Sequence, residues 1–110
     1  MGKVAVLVGP ECASACEFFS YDMTLENRAT VVGMYPSEGA GGSVEQFIMP
    51  EGIAVTFTIG RAVDANGNVH LEGKGVVPTV RVPVNFDTLQ QLANDDDPVL
   101  DAAEQTLVAH

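Results

Sequence analysis

A serine surrounded by small side chains is the residue of this sequence best placed for nucleophilic chemistry. Ser14 has only alanine and cysteine within two positions on either side. It follows the apolar run of residues 4–8 and a Gly-Pro break, and a stretch with helical spacing comes after it. A nucleophile elbow needs small neighbours at such a tight strand-to-helix turn, and the N–H groups at the helix start can hold an oxyanion. The pattern predicts a nucleophile at Ser14, with a plain helix N-cap as the alternative.

Two predicted elements would position this hydroxyl. The continuous apolar run of residues 4–8 predicts a strand that is covered on both faces. In the helix that follows, apolar side chains occupy most of the circumference, and Glu17 and Ser20 belong to a narrow polar stripe on the opposite face. We therefore expect this helix to be largely covered, with only the polar stripe left outside.

The two cysteines flank the same serine. Cys12 and Cys16 are four residues apart on a predicted helical turn, where a disulfide cannot easily reach good geometry. Without a histidine nearby they also make a poor zinc site. We expect two small buried apolar residues, and the sequence predicts no metal and no cofactor.

The rest of the chain predicts a mixed α/β domain, in which the loop of residues 34–43 is too rich in glycine for regular structure and is a candidate to line a site. Residues 53–59 alternate strictly, as in a half-buried strand, and an Asn-Gly turn then predicts a hairpin with residues 69–71. His70 is interpreted as an ordinary residue of that return strand.

The other predicted elements are strands at 29–33, 44–49 and 79–82, a helix at 87–92, and a last helix that begins at Asp97-Pro98 with Leu100, Ala103 and Leu107 as its apolar stripe.

Composition limits the possible partners. The chain of 110 residues is 46% apolar, which fits one small globular domain, and it has no apolar run long enough to span a membrane. Its formal net charge is −10, with five lysines and arginines in total. Nucleic acid and anionic membranes both require clustered positive charge, so neither is an expected partner.

Four motifs in one order resemble the carboxyl-terminal processing (tail-specific) proteases and their relative, tricorn protease. These are serine peptidases with a ClpP/crotonase-like α/β core, and the resemblance covers residues 3 to about 107. The motifs are Ala13-Ser14-Ala15-Cys16-Glu17, Val32-Gly33 with a glycine-rich loop ending in Val44-Glu45-Gln46, Glu72-Gly73-Lys74-Gly75-Val76-Val77-Pro78, and Asp97-Pro98-Val99-Leu100-Asp101-Ala102-Ala103.

The resemblance implies roles for three residues. Ser14 would be the nucleophile, and the Ala15 N–H would be one oxyanion donor. Glu72, which lies 58 residues after Ser14, matches a glutamate that the tricorn branch uses in its catalytic relay, although it could equally be a turn residue. The sequence departs from the family at the loop of residues 34–43, which lacks the lysine that serves the processing branch as general base. It also has Thr79 where the family usually has aspartate.

The same resemblance implies that residues 1–110 are a single domain, the C-terminal part of a catalytic domain whose N-terminal half is missing. The expected function is that of a serine endopeptidase fragment, inactive alone, whose polypeptide substrates are cut near C-terminal tails. Self-association into a homo-oligomer would cover the apolar face left exposed. One alternative is a catalytically silent peptide-binding or assembly domain, and a more remote one is an acyl-CoA enzyme on the same core. The compartment stays open, because the processing branch is extracytoplasmic or envelope-associated and the tricorn branch is cytoplasmic.

Overall fold

The computed structural model describes residues 2–109, so that Met1 and His110 of the predicted domain lie outside the described residues. Helices and two small sheets combine in a mixed α/β arrangement, as the sequence predicts. None of the helices in the described range is long and apolar enough to cross a membrane. The strands are β1 (Ala5–Leu7), β2 (Thr30–Gly33), β3 (Val44–Ile48), β4 (Ala54–Thr58) and β5 (Val80–Arg81); the helices are α1 (Ala15–Asp22), α2 (Phe86–Ala93) and α3 (Pro98–Val108), with 3-10 turns at Leu25–Asn27 and Pro50–Gly52.

A parallel sheet of β1, β2 and β5 forms the centre, with β2 between the other two strands. Side chains alternate across a strand, so Val6 pairs with Val31 on one face while Val32 lies on the other. The first face packs against α1 and the segment around Leu71, and the second packs against α3. Both faces are therefore covered, as the apolar run predicts, although the side chain of Leu7 on the edge strand β1 is 40% exposed.

Helix α3 begins where the sequence predicts. The Asp97 carboxylate accepts two first-turn N–H groups at 3.0 Å, and Pro98 occupies the first helical position. The predicted apolar stripe is only partly right, because Ala103 is buried while Leu100 and Leu107 remain 45% and 41% exposed. Small side chains let the helix lie close against the sheet, and the larger leucines are left at the margin of that contact.

Strands β3 and β4 form a separate antiparallel ribbon in which Val44 pairs with Thr58 and Ile48 with Ala54. The predicted strand positions are confirmed, but the predicted half-burial is wrong. Phe47 and Phe57 meet edge to face across the ribbon at 6.0 Å, yet they are 44% and 56% exposed because no second layer of the described residues covers them. The radius of gyration is 17.1 Å, against about 13 Å for a compact domain of this length.

The predicted return strand after the Asn-Gly turn does not form. The turn itself is present, with Gly67 at φ 82°, but only a single bridge joins Val63 to Val69. The Asp64 carboxylate closes the turn instead by accepting N–H groups from Asn66 and Asn68 at 2.8 and 2.9 Å. Residues 69–71 then leave the ribbon and Leu71 enters the core, so His70 is not a strand residue.

Candidate active site

The chain makes a sharp bend at Ser14, between the end of β1 and the start of α1. Ser14 has φ 52° and ψ −114°, a positive φ that residues with a side chain rarely adopt. Its carbonyl oxygen accepts the N–H groups of Glu17 and Phe18 at 2.9 and 3.1 Å, which fixes the bend to the first turn of the helix. The serine is exposed. Strained backbone of this kind costs about 1–3 kcal/mol and concentrates at functional sites.

The amide of Ala15 lies directly beside this serine. Ala15 is the first residue of α1, so its N–H has no acceptor within the helix. The next amide, that of Cys16, is occupied by the Ala13 carbonyl at 3.1 Å, whereas the described residues provide no acceptor for the Ala15 N–H. A helix N-terminus also favours negative charge. The Ala15 amide can therefore receive an oxyanion that forms next to Ser14.

A cleft of about 470 Å³ opens next to Ser14. This volume lies within the range of about 300–1,000 Å³ that is typical of ligand sites. The glycine-rich loop supplies part of its wall, as the sequence predicts. The lining residues are Ser14, Phe18, Gly41, Gly42, Ser43, Val44, Gly60, Arg61 and Ala62.

The polar stripe of α1 faces the interior, which is the reverse of the prediction. Glu17 and Ser20 are 0% and 1% exposed, whereas Phe18 and Phe19 are 39% and 59% exposed. Ser20 donates to the Cys16 carbonyl at 2.7 Å, which satisfies its buried hydroxyl. Helix α1 is thus held by polar contacts on its inner side and presents aromatic rings on its outer side.

Four hydrogen bonds surround the buried Glu17 carboxylate. Oε1 accepts the Ser37 hydroxyl at 2.5 Å and the Gly39 N–H at 2.7 Å, and Oε2 accepts the Ala40 N–H at 2.8 Å and the Ser14 N–H at 3.2 Å. Burial alone would raise the pKa of this carboxyl, but the four donors outweigh it and hold the pKa below its ordinary value. Glu17 is therefore a buried carboxylate that joins the elbow to the glycine-rich loop. Sequence patterning missed it, because three of its donors lie more than 19 residues away.

A second set of contacts ties the bend of residues 72–78 to the same loop. The Ser37 hydroxyl accepts the Val76 N–H at 2.6 Å, and the Val76 carbonyl accepts the Ser37 N–H at 3.1 Å. Gly75 has φ 69°, and a Cβ there would overlap the Ser37 carbonyl. Glycine at position 75 is thus required by both its backbone angle and the close approach of the loop.

The two cysteines form a disulfide, which corrects the prediction of two free buried side chains. Cys12 precedes the helix instead of lying within it, and the bend at Ser14 brings its Cα to 5.3 Å from that of Cys16. This separation falls within the range that a disulfide spans. The crosslink therefore encloses Ser14, with Cys12 buried and Cys16 exposed.

Glu72 lies behind the cleft wall. Its Oε2 is buried and has no hydrogen-bond partner among the described residues. A Cβ at Gly42 would lie 3.2 Å from this oxygen, so the carboxylate and the glycine loop are in close contact. Glu72 thus contacts the glycine loop that lines the cleft beside Ser14, although no hydrogen bond links Glu72 to Ser14 in the described part of the chain.

His70 does not complete the site. Its ring lies against Tyr21 with the centroids 4.1 Å apart, and it is not among the residues that line the cleft. The lining residues include neither histidine nor lysine, and Arg61 is the cation among them. Among the described residues, the cleft therefore offers a hydroxyl, an amide donor and a nearby carboxylate, without a histidine or lysine that could serve as general base.

Comparisons with known proteins bear on this arrangement. The profile of Peptidase family S41 matches residues 1–82. The crystal structure of a candidate peptidase from Parabacteroides merdae ATCC 43184 is similar with a TM-score of 0.78 and 25% sequence identity. The similarity covers 97% of this chain and 32% of that one, so this chain spans about a third of the length of the similar protein. No curated protein matches the sequence.

Proposed function

Because the chain belongs to peptidase family S41, we propose that it carries the nucleophile of a serine endopeptidase. One observation carries the proposal: Ser14 lies exposed at a positive-φ bend, with an uncommitted helix-start amide at Ala15 and a cleft beside it. Ser14 is also the N-cap of α1, in a capping box with Glu17, but an ordinary cap adopts extended angles and would not need the strained backbone. The proposed role is therefore specific to the geometry of the bend.

In the proposed reaction, Ser14 Oγ forms a bond to the carbonyl carbon of a peptide while a base removes the hydroxyl proton. The carbonyl oxygen becomes an oxyanion, and the Ala15 N–H donates a hydrogen bond to it. Collapse of this intermediate breaks the C–N bond, and the amine leaves with a proton from the protonated base. Water then hydrolyses the acyl-enzyme and regenerates Ser14.

Glu72 is proposed as the residue that orients the base. Its buried and unpartnered Oε2, close to Gly42, can accept a hydrogen bond from an imidazole or a hydroxyl that approaches the cleft. The described lining residues provide no such group, and the chain spans only 32% of the similar structure. We therefore expect the base to come from another part of the complete protein, and the isolated chain to be inactive.

The family resemblance also implies a place in the catalytic domain, a class of substrate and an assembly. We assign residues 1–110 to the C-terminal part of a ClpP/crotonase-like catalytic domain, a view that the TM-score of 0.78 over nearly the whole chain supports. The substrates would be polypeptides cut near their C-terminal tails. The exposed aromatic and aliphatic side chains of α1 and the β3–β4 ribbon support self-association or coverage by the rest of the protein.

Peptide hydrolysis tests this function. The complete protein that carries the chain is incubated with a peptide ending in a free carboxylate and with its C-terminal amide. We expect cleavage of the free-tail peptide, and Ser14→Ala should lower kcat/KM by about 10³-fold or more, as expected for loss of a nucleophile. Ser20→Ala, the same change six residues along the chain at a serine that does not line the cleft, should leave kcat/KM within a few fold. Cleavage that survives Ser14→Ala would refute the proposal.

A catalytically silent peptide-binding or assembly domain is the second candidate. The observation that favours it is the absence of histidine and lysine among the described residues that line the cleft. In the same experiment, saturable binding of the free-tail peptide by the complete protein without any product would support this candidate. Product formation abolished by Ser14→Ala would exclude it.

A further inference from the structure

The Glu17 carboxylate is enclosed by donors from two different segments. It is 0% exposed and accepts hydrogen bonds from the elbow at Ser14 and from the loop at Ser37, Gly39 and Ala40. No described lysine, arginine or histidine forms a salt bridge with it. An ionised carboxylate accepts about four hydrogen bonds and donates none. The number and the type of the donors therefore match a carboxylate and no other side chain.

We propose that Glu17 is a positioning residue that aligns the nucleophile elbow with the glycine-rich wall of the cleft. The inference rests on the proposed function of Ser14 and adds a residue that acts through others instead of touching the substrate. Its carboxylate holds the Ser14 N–H on one side and the Gly39 and Ala40 N–H groups on the other. The loop continues directly from Ala40 into the cleft residues 41–43.

The alignment extends to Glu72 through Ser37. The Ser37 hydroxyl donates to Glu17 Oε1 and accepts the Val76 N–H, so one side chain connects the carboxylate to the bend that carries Glu72. The Gly73 N–H also donates to the Gly39 carbonyl at 2.8 Å, which gives a second link between the loop and this bend. The Glu17 carboxylate is therefore connected through hydrogen bonds to three parts of the proposed site: Ser14, residues 41–43 and the bend that carries Glu72.

Glutamine is the informative replacement. Glu17→Gln keeps the size of the side chain but puts an NH₂ group where one carboxylate oxygen accepted two donors. Two of the four donors would then face another donor, so the anchor that the elbow and the loop share would be weakened. Ser20→Ala is the matched control, because Ser20 is buried on the same inner face one turn after Glu17. Its hydroxyl contacts Cys12 and Cys16 and forms no hydrogen bond with the loop among the described residues.

The first measurement is the rate at which a fluorophosphonate labels Ser14 in the complete protein. We expect Glu17→Gln to lower the maximal labelling rate at least tenfold with little change in the probe concentration for half-maximal rate. Ser20→Ala should stay within about twofold of the unchanged protein. Thermal unfolding of all three proteins is recorded, so that the rates are compared only at temperatures where each is folded. If Glu17 has a purely structural role, the folded Glu17→Gln protein will label at the unchanged rate. That result would overturn the inference.

The second measurement is amide hydrogen exchange at Gly39 and Ala40, which does not depend on labelling. We expect both amides to be protected in the unchanged protein and in Ser20→Ala, and one of the two to exchange at least tenfold faster in Glu17→Gln, because they bond to different oxygens and the glutamine keeps one of these. Unchanged protection would contradict the alignment even if Ser14 is the nucleophile. Absence of label on Ser14 in the unchanged protein would instead refute the proposed function and the catalytic part of this inference with it. The exchange rates would then decide on their own whether the carboxylate holds the loop.

If Glu17→Gln does not fold, Ser37→Ala replaces it. That change removes one donor to Glu17 and the acceptor for the Val76 N–H, while the other three bonds to the carboxylate remain. We expect a smaller fall in the labelling rate of Ser14, about threefold to tenfold. A folded Ser37→Ala protein that labels at the unchanged rate would also contradict the inference.

Discussion

The elbow region and the β3–β4 ribbon depart from the predicted burial in different ways. At the elbow, Glu17 and Ser20 are buried and Phe18 and Phe19 are not. On the ribbon, alternating apolar residues form the expected strands, but Phe47 and Phe57 remain about half exposed. The two regions show that a side chain is buried where the fold supplies its partners. At the elbow the partners are hydrogen-bond donors, and on the ribbon no described layer provides apolar contacts.

The largest effect should distinguish these two regions by stability. Glu17→Leu leaves one buried and three partly buried donors without an acceptor. A fully buried donor costs about 1–3 kcal/mol when unpaired, so the free energy of unfolding should fall by about 3 kcal/mol. Phe57→Ser on the ribbon should lower it by only about 1 kcal/mol, because it removes a cross-strand aromatic contact but leaves no buried polar group unpaired. Urea unfolding followed by circular dichroism measures both. Equal losses of stability in the two variants would show that the hydrogen bonds of Glu17 contribute no more than the exposed aromatic contact on the ribbon.

A smaller effect should appear at the bend that contacts Ser37. Gly75→Ala introduces a Cβ at positive φ that also overlaps the Ser37 carbonyl, and we expect a loss of about 2–3 kcal/mol. Gly67→Ala has a similar positive φ of 82° but open space around the new Cβ, so it should cost only about 1 kcal/mol. The difference between the two midpoints in urea isolates the contact with the loop. Identical midpoints would show that the close approach contributes nothing.

The smallest effect concerns pH. The pKa of Glu17 is lower in the folded chain than its ordinary value of 4.5, so the unfolded chain binds the proton more tightly. The stability that this carboxylate contributes is therefore present above about pH 4.5 and is lost as the pH falls through the lower folded value. Glu17→Gln should flatten this part of the profile, whereas Phe57→Ser should leave its slope unchanged. Urea midpoints between pH 3 and pH 6 test both expectations. An unchanged slope in Glu17→Gln would contradict the assignment.

Local patterns predicted the elements well and their surroundings poorly. The apolar run before Ser14, the glycine-rich loop and the Asp97-Pro98 helix start all depend on neighbours in sequence, and each lies where it was predicted. The burial of Glu17 depends on donors at Ser37, Gly39 and Ala40, which only the tertiary fold brings near. A pattern of helical spacing treats glutamate as a solvent-facing residue, because it has no information about such donors.

The predictions for the two cysteines and for the return strand are wrong for a related reason. The spacing of Cys12 and Cys16 predicts one helical turn, but the positive φ at Ser14 removes Cys12 from the helix and brings the two residues together. The Asn-Gly turn is real, but the Asp64 side chain closes it and Leu71 is drawn into the core, so a hairpin partner does not follow. In both cases one residue with special backbone or side-chain bonding overrode a regular local pattern.

The most direct test of the account is to find which residue a fluorophosphonate modifies. The complete protein that carries this chain is labelled, digested and analysed by tandem mass spectrometry, with Ser14→Ala and Ser20→Ala treated in parallel. If Ser14 is the nucleophile, a single adduct forms on Ser14, is absent from Ser14→Ala and is unchanged in Ser20→Ala. An adduct that persists in Ser14→Ala, or the absence of any adduct on Ser14, would contradict this role.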